Sequence, residues 1–405
     1  MILRVLKGND VYNKTVTKQR NDARMTTNAL VLGAGMVGSV IAEDLSTSGF
    51  KVTVVDVSTE ALDRLTTRSS GEIGVEQMDC SDAASITAKA LEVDIVFGAL
   101  PSWLGLNALQ AVIESGRSYC DISFMEEDPR VLNDLAKDRG VTCVVDFGVA
   151  PGMSHLLCSY ATHILDSCDR LDIVVGGLPV DRTWPWEYKA PFSPRDVIDE
   201  YIRPARLVEN GAIVTREALS ETVLMELPNV GTLEAFNSDG LRTLCDTLDV
   251  PNIRERTLRY PGHAEMMKVL RAGGFFNSES IMVGDQEVRP IDLTSKLLIN
   301  DWKYEQGEAD LTVMRVEAEG SKDNKRTVLR WDLLDQYDSE LDQSSMSRTT
   351  GFPCAAIGRM IVDQTIDSPG VHPPEVFGGR DDIVDRLFME LETRNVRYTQ
   401  TMEFI

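Results

Sequence analysis

Ala29-Leu30-Val31-Leu32-Gly33-Ala34-Gly35-Met36-Val37-Gly38 is the stretch whose reading decides the fold. An apolar run of strand length breaks into G-x-G-x-x-G, and a helical pattern follows over Val37–Ser48. In such a turn Gly33 permits the sharp bend, Gly35 lets backbone N–H groups approach a pyrophosphate, and Gly38 allows helix and strand to pack closely. The partial positive charge of the helix N-terminus favours the phosphates further. Asp56 ends the apolar run Val52–Val55, 18 residues past Gly38, where a carboxylate accepts from ribose hydroxyls. The expected cradle is therefore Gly33, Gly35, Met36, Val37, Gly38 and Asp56, holding a dinucleotide. A carboxylate at Asp56 repels a 2′-phosphate, and Val57 and Ser58 bring no arginine to receive one, so NAD is favoured over NADP. Asp79 and Cys80 follow Val75–Met78 and are candidates to edge the adenine, with helix capping the competing reading of Asp79. Leu100 and Pro101, after the run Ile95–Ala99, are candidates to support the nicotinamide ribose.

Around this motif, short β-branched runs alternate with helical windows. Ala29–Leu32, Val52–Val55, Ile95–Ala99, Tyr119–Ile122 and Val141–Phe147 read as strands. Val37–Ser48, Thr59–Arg68, Asp82–Leu91, Leu104–Ser115 and Pro129–Arg139 read as helices. The alternation predicts an α/β fold with a doubly wound parallel sheet of the Rossmann type over 26–150, its strands apolar throughout because both faces are covered. After Pro151 the rhythm changes. A helix over Gly152–Leu165 leads into a strand, Leu171–Gly176, and a long aromatic loop, Gly177–Pro194. In Leu311–Glu319, Met314, Val316 and Ala318 alternate with Arg315, Glu317 and Glu319, and the turn Ser321–Arg326 leads to Val328–Leu333. That predicts an antiparallel hairpin. Helical windows at Arg289–Asn300 and Thr350–Ile366 flank it. The second domain, 151–349, is thus expected to be α+β with a mostly antiparallel sheet, followed by a C-terminal helical segment, 350–405.

The 405 residues are 43% hydrophobic and 26% charged, which excludes a disordered chain, and no apolar run is long enough for a membrane helix. With 41 basic against 64 acidic residues the net charge is −23, which argues against a nucleic-acid partner. Seven cysteines without a C-x-x-C pair read as reduced thiols of a cytoplasmic protein, and with four histidines they offer no zinc spacing. Residues 1–24 carry six basic and two acidic side chains, lack the apolar core of a signal peptide, and read as a flexible arm or a misassigned start before Met25.

Several segments carry a resemblance to the saccharopine dehydrogenase family, in particular its lysine 6-dehydrogenase-like branch. They are Asp121-Ile122-Ser123-Phe124, Asp146-Phe147-Gly148-Val149-Ala150-Pro151-Gly152-Met153-Ser154, Gly176-Gly177-Leu178-Pro179, Phe192-Ser193-Pro194-Arg195, Ser238-Asp239-Gly240-Leu241-Arg242-Thr243-Leu244, Thr257-Leu258-Arg259-Tyr260-Pro261-Gly262-His263 and Thr349-Thr350-Gly351-Phe352-Pro353. The resemblance spans about Asn28 to Gly378. It implies a Rossmann domain, a substrate-binding and dimerisation domain, a homodimer or higher homo-oligomer, and oxidation of an amine at the lysine side-chain carbon to give 2-aminoadipate 6-semialdehyde. Such chemistry needs a proton acceptor, a cation for the α-carboxylate and positioning donors. Asp121, at a strand's carboxyl edge, and His155, on a first helical turn, are the candidate catalytic groups. Gly152 and Met153 are candidate N–H donors to substrate, Arg242 the candidate carboxylate partner, and Tyr260 and His263 candidate pocket walls. A saccharopine reductase, a carboxynorspermidine-type polyamine dehydrogenase and a non-catalytic NAD(H)-sensing protein are the competing expectations.

Overall fold

The computed structural model describes residues 2–5, 26–190, 194–305 and 307–405. The expected arm therefore lies outside the described residues except for Ile2–Val5, which run as a four-residue strand. The chain divides into two units. One comprises 2–163 with 347–400, the other 164–346 with 401–405. The boundaries expected at 150 and 349 accordingly fall at 163 and 346, since most of the helix Met153–Ile164 belongs with the first unit.

The first unit is built on a parallel sheet of seven described strands. Their order is Gly370–His372, Thr142–Val144, Ser118–Asp121, Ile95–Gly98, Asn28–Leu32, Lys51–Asp56 and Gly74–Gln77. The order reverses between Asn28–Leu32 and Ile95–Gly98, so the carboxyl ends there form the crevice where such sheets hold ligands. Leu30, Leu32, Val55, Val96, Tyr119, Cys143 and Val145 are buried with Ile86, Leu109 and Val112 of the covering helices. The helix Ser345–Val362 lies on this sheet: Gly358 sits so close to the Phe97 ring that a Cβ would overlap it, and Gly351 faces Ile41 of the helix Met36–Thr47. Asp44 of Met36–Thr47 receives Arg359 Nη1 at 2.6 Å and Arg394 Nη2 at 3.1 Å, while Glu390 pairs with Arg359 and Arg386. This shielded network ties the helix Asp381–Thr393 to the same face.

Several expected elements differ. Val141–Phe147 is a strand only over Thr142–Val144, because Asp146 turns to a left-handed φ of 55°. Pro129–Arg139 splits into a 3₁₀ turn and the helix Asn133–Arg139. The segment expected to be helical after 350 also contributes the strands Gly370–His372 and Tyr398–Phe404.

The second unit carries a mixed sheet. From Tyr398–Phe404 it runs through Lys325–Gln336, Asp310–Lys322, Ser167–Pro179, Ile253–Arg259 and Gly231–Asn237 to Val223–Leu227, and the hairpin Ala205–Glu209/Ala212–Arg216 branches from Ile253–Arg259. Ser167–Pro179 and Ile253–Arg259 pair in parallel, and the other registered pairs are antiparallel, as the alternation predicts. The long hairpin pairs Leu311 with Gln336 through to Lys322 with Lys325. Asp323 and Asn324, both left-handed, make its two-residue turn, a conformation these short polar residues tolerate. Met314, Val316 and Ala318 are buried and Arg315, Glu317 and Glu319 half-buried, the faces expected from the sequence. Trp302, Tyr188, Tyr201, Phe236 and Met267 form a separate core where Pro194–Ile202, His263–Ala272 and Pro290–Trp302 meet the aromatic loop.

Candidate active site

The glycine loop occupies the crevice of the first unit. Gly33 has φ 104° and its Cα lies against the Ala99 carbonyl, so no side chain fits there. A Cβ on Gly38 would strike the Gly33 carbonyl. Gly35 is different: nothing stands within 4 Å of where its Cβ would be, leaving open space above the loop. The helix Met36–Thr47 begins there with no side-chain cap and no acid in its first turn. By contrast Ser58, Asp82 and Asp128 cap Thr59–Arg68, Ala83–Ala90 and Pro129–Leu132. An uncapped helix end under open space fits a pyrophosphate, because orphan N–H groups and the helix dipole both await an anion.

The other cofactor candidates gather around this loop. Asp56 accepts from Ala34 N–H through Oδ2 and from Ser58 N–H through Oδ1, each at 2.7 Å. Its carboxylate is thereby fixed between the glycine turn and the helix Thr59–Arg68. Met78 N–H donates to the Asp56 carbonyl, bringing Asp79 and Cys80 alongside. Asp79 accepts from Ser81 N–H at 2.9 Å and that bond holds its pKa below the usual range, so it serves as a turn cap. The Cys80 thiol is buried and pushed up to about 12 by burial and the nearby Asp56 and Asp79 carboxylates. Ala99 and Leu100 close over Gly33 and Ala99 over Gly38, and Leu100 and Pro101 remain partly exposed.

The expected catalytic and substrate groups in this unit are enclosed. Asp121 has no exposed surface; Oδ1 accepts from Ser123 N–H at 3.0 Å, and Oδ2 has no hydrogen-bond partner among the described residues. It lies beside the Tyr119 hydroxyl against Gly98, where a Cβ would displace both. Burial pushes its carboxyl up to about 7, against the lowering effect of Ser123. The expectation of a cleft-lining base is therefore corrected: the side chain shares its face of the strand with Tyr119, in the core, and holds the turn Ile122–Met125. Met153, expected to offer its N–H to a ligand, gives it to Gly148 O at 2.9 Å. Gly152, at φ 127°, packs directly on the Gly148 backbone. His155 is buried, with Nδ1 3.0 Å from Ser154 Oγ.

Arg242, Tyr260 and His263 lie in the second unit. Arg242 follows Gly240 in a left-handed conformation and is 8% exposed. Tyr260 donates its hydroxyl to the Pro179 carbonyl at 2.8 Å, beneath the Arg182 guanidinium. His263 is corrected from pocket wall to core residue. Nε2 meets Tyr201 Oη at 2.9 Å, Nδ1 meets Trp186 O at 3.0 Å, and burial drives its pKa down to about 3. Sequence reasoning passed over two buried carboxylates beside these residues. Glu255 Oε2 accepts from Ser238 Oγ at 2.7 Å and Gly240 N–H at 3.2 Å, pinning the loop that carries Arg242, and burial pushes its carboxyl up to about 8. Glu234 accepts from Gly262 N–H at 3.0 Å and from Ala264 N–H, capping His263–Ala272. The signal for Glu255 was present: it alternates with Ile253 and Thr257, on the buried face of its strand.

Residues 29–144 match the family model described as the saccharopine dehydrogenase NADP binding domain, and 148–396 the saccharopine dehydrogenase C-terminal domain. The chain is 23% identical over 447 residues to a saccharopine dehydrogenase (NADP(+), L-glutamate-forming) of Pyricularia oryzae, covering 91% of this chain and 97% of that protein. It is 22% identical to a carboxynorspermidine synthase of Vibrio alginolyticus, covering 80% of this chain and 86% of that one. The fold of an apo saccharopine dehydrogenase (L-Glu forming) from Saccharomyces cerevisiae is similar, with a TM-score of 0.77 at 19% identity over 93% of this chain and all of that one. The phosphate cradle and these matches define an enzyme, an oxidoreductase dependent on a nicotinamide nucleotide. The chain belongs to the saccharopine dehydrogenase family.

Proposed function

We propose that the protein oxidises the carbon–nitrogen bond at the side-chain end of a lysine-type amino acid, either lysine itself or saccharopine, yielding 2-aminoadipate 6-semialdehyde, with NAD as the favoured acceptor. The observation carrying this reading is the Gly33–Gly38 cradle with Asp56 tethered to it by Ala34 N–H. Gly35 and the uncapped start of Met36–Thr47 hold the pyrophosphate, and Asp56 receives the adenosine ribose hydroxyls. The nicotinamide supplies the hydride acceptor when bound. Asp56 stands where a 2′-phosphate would lie, and like charges there disfavour NADP even though the Pyricularia oryzae relative carries NADP(+) in its name.

Arg242 is assigned the substrate carboxylate, on the loop that Glu255 holds in place. An amine expels hydride only when its nitrogen lone pair is free, so a group must accept its proton. That role is assigned to His155, with Ser154 Oγ orienting the ring from Nδ1. A homodimer, or a higher homo-oligomer, is the proposed assembly. The decisive experiment measures reduced cofactor formed from lysine, saccharopine, ornithine and diamines, with carboxynorspermidine as a further arm. Turnover of lysine or saccharopine supports the reading. Turnover confined to carboxynorspermidine or diamines refutes it, and cofactor binding with no turnover at all supports a sensing protein instead.

A further inference from the structure

A second cavity lies in the unit that carries the mixed sheet, on the end of the sheet where Ser167–Pro179, Ala205–Glu209 and Ile253–Arg259 begin or end. Its volume is about 430 Å³, within the range of small-ligand sites. Five charged side chains line it: Arg170, Arg254 and Arg256 against Asp172 and Glu209. Two of the arginines are committed. Arg170 Nε lies 3.1 Å from Asp172 Oδ2, and its Nη2 reaches both Glu317 and Glu319. Arg254 bridges Glu209 at 3.2 Å and Glu221 at 2.9 Å.

Arg256 is not. Its side chain is 15% exposed, its nearest carboxylate oxygen is Asp172 Oδ1 at 4.0 Å, and that carboxylate is already held by Arg170. Its Nε is buried without any hydrogen-bond partner among the described residues. Burial and the neighbouring Arg254 and Arg170 charges also press its pKa downward. A guanidinium carries five donors in a planar fork, and leaving the buried Nε unfilled is costly. The fork matches the two oxygens of a carboxylate. Asp172 and Glu209 in the same lining oppose a multiply charged anion and suit a ligand that is cationic at its other end.

We infer that this cavity is a binding site for a small zwitterion of the free amino acid class, its carboxylate seated on the Arg256 guanidinium and its ammonium turned toward Asp172 Oδ1, the oxygen that Arg170 Nε leaves open. None of these residues belongs to the cofactor cradle or to the groups assigned above to the substrate. The site is thus separate from the proposed reaction, and it stands whether or not lysine is the substrate.

Isothermal titration of the full chain without cofactor tests it, with L-lysine, L-glutamate, acetate and inorganic phosphate as probes. Each is measured on the wild type, on Arg256→Gln and on Arg256→Lys. One of the two amino acids should bind the wild type and lose roughly ten- to a hundredfold in affinity in Arg256→Gln, the loss expected for a charged hydrogen-bond pair. Arg256→Lys, which keeps the charge and loses the fork, should fall between them. Melting temperatures and cofactor affinity should stay at wild-type values in both variants, keeping a folding defect apart from a binding defect. Equal amino acid binding by all three proteins, or none by the wild type, overturns the inference. Phosphate binding tighter than both amino acids overturns the zwitterion assignment.

Discussion

Replacing Asp56 by asparagine tests the cofactor reading most directly. The carboxylate is held by two backbone N–H groups at 2.7 Å, so it cannot swing away from a phosphate on the ribose 2′ oxygen. At about 5 Å, one pair of unit charges repels by roughly 0.8 kcal/mol in water and roughly 3 kcal/mol at an effective dielectric of about 20. The half-buried position of Asp56 lies between these limits. A discrimination of roughly 1–3 kcal/mol follows, or about fivefold to more than a hundredfold in kcat/KM for NAD over NADP. Asparagine keeps one acceptor for the loop and removes the charge. The preference should therefore shrink by about tenfold or more, mainly through a lower KM for NADP. The assay compares kcat/KM for both cofactors at saturating amino acid and at two salt concentrations; the wild-type preference should weaken at high salt as the repulsion is screened. A wild type that uses NADP as well as NAD, or an unchanged ratio in Asp56→Asn, would falsify the argument.

Four further outcomes are expected. Gly35→Ala should retain its melting temperature within a degree or two while weakening cofactor binding at least tenfold by fluorescence titration; Gly33→Ala should lower stability by roughly 1–3 kcal/mol, because its φ of 104° and the Ala99 carbonyl both exclude a side chain. Glu255 has a pKa raised to about 8, so the stability it contributes is fully present below its unfolded value near 4.5 and is lost as pH rises through 8. Glu255→Gln should consequently gain about 2–3 kcal/mol relative to wild type between pH 6 and pH 9 in denaturant titrations, and parallel curves would refute the assignment. His263 has a pKa depressed to about 3, so stability is intact above 6.5 and is lost as pH falls from there toward 3; His263→Gln should flatten that acid limb by a few kcal/mol.

The sheet of the first unit was legible where strand and helix alternate locally, and the glycine loop carried its own signature. Gly74–Gln77 escaped because it is an exposed edge strand without an apolar run. Gly370–His372 escaped because its pairing with Thr142–Val144 spans more than 200 residues, and no local pattern reports so distant a partner. The cofactor residues were readable because backbone geometry dictates glycine and a ribose dictates an acid. The substrate groups were not, because a polar residue's type does not reveal which way its strand turns it. Asp121 alternates with Tyr119 into the core, and His263 finds both its partners, Tyr201 and Trp186, in segments far away along the chain.

The strand Gly370–His372 has a consequence for how the molecule is made. It extends the parallel sheet beyond Thr142–Val144, and the helices Ser345–Val362 and Asp381–Thr393 cover one of its faces. On a ribosome, the first 163 residues emerge with Phe97, Ile41 and Asp44 still lacking Gly358, Gly351 and Arg359. The nucleotide-binding half is thus finished only after 164–346 has been synthesised. Until then its sheet stops at Thr142–Val144 and keeps a bare apolar face, the kind of surface that chaperones recognise and that aggregates when synthesis stops early.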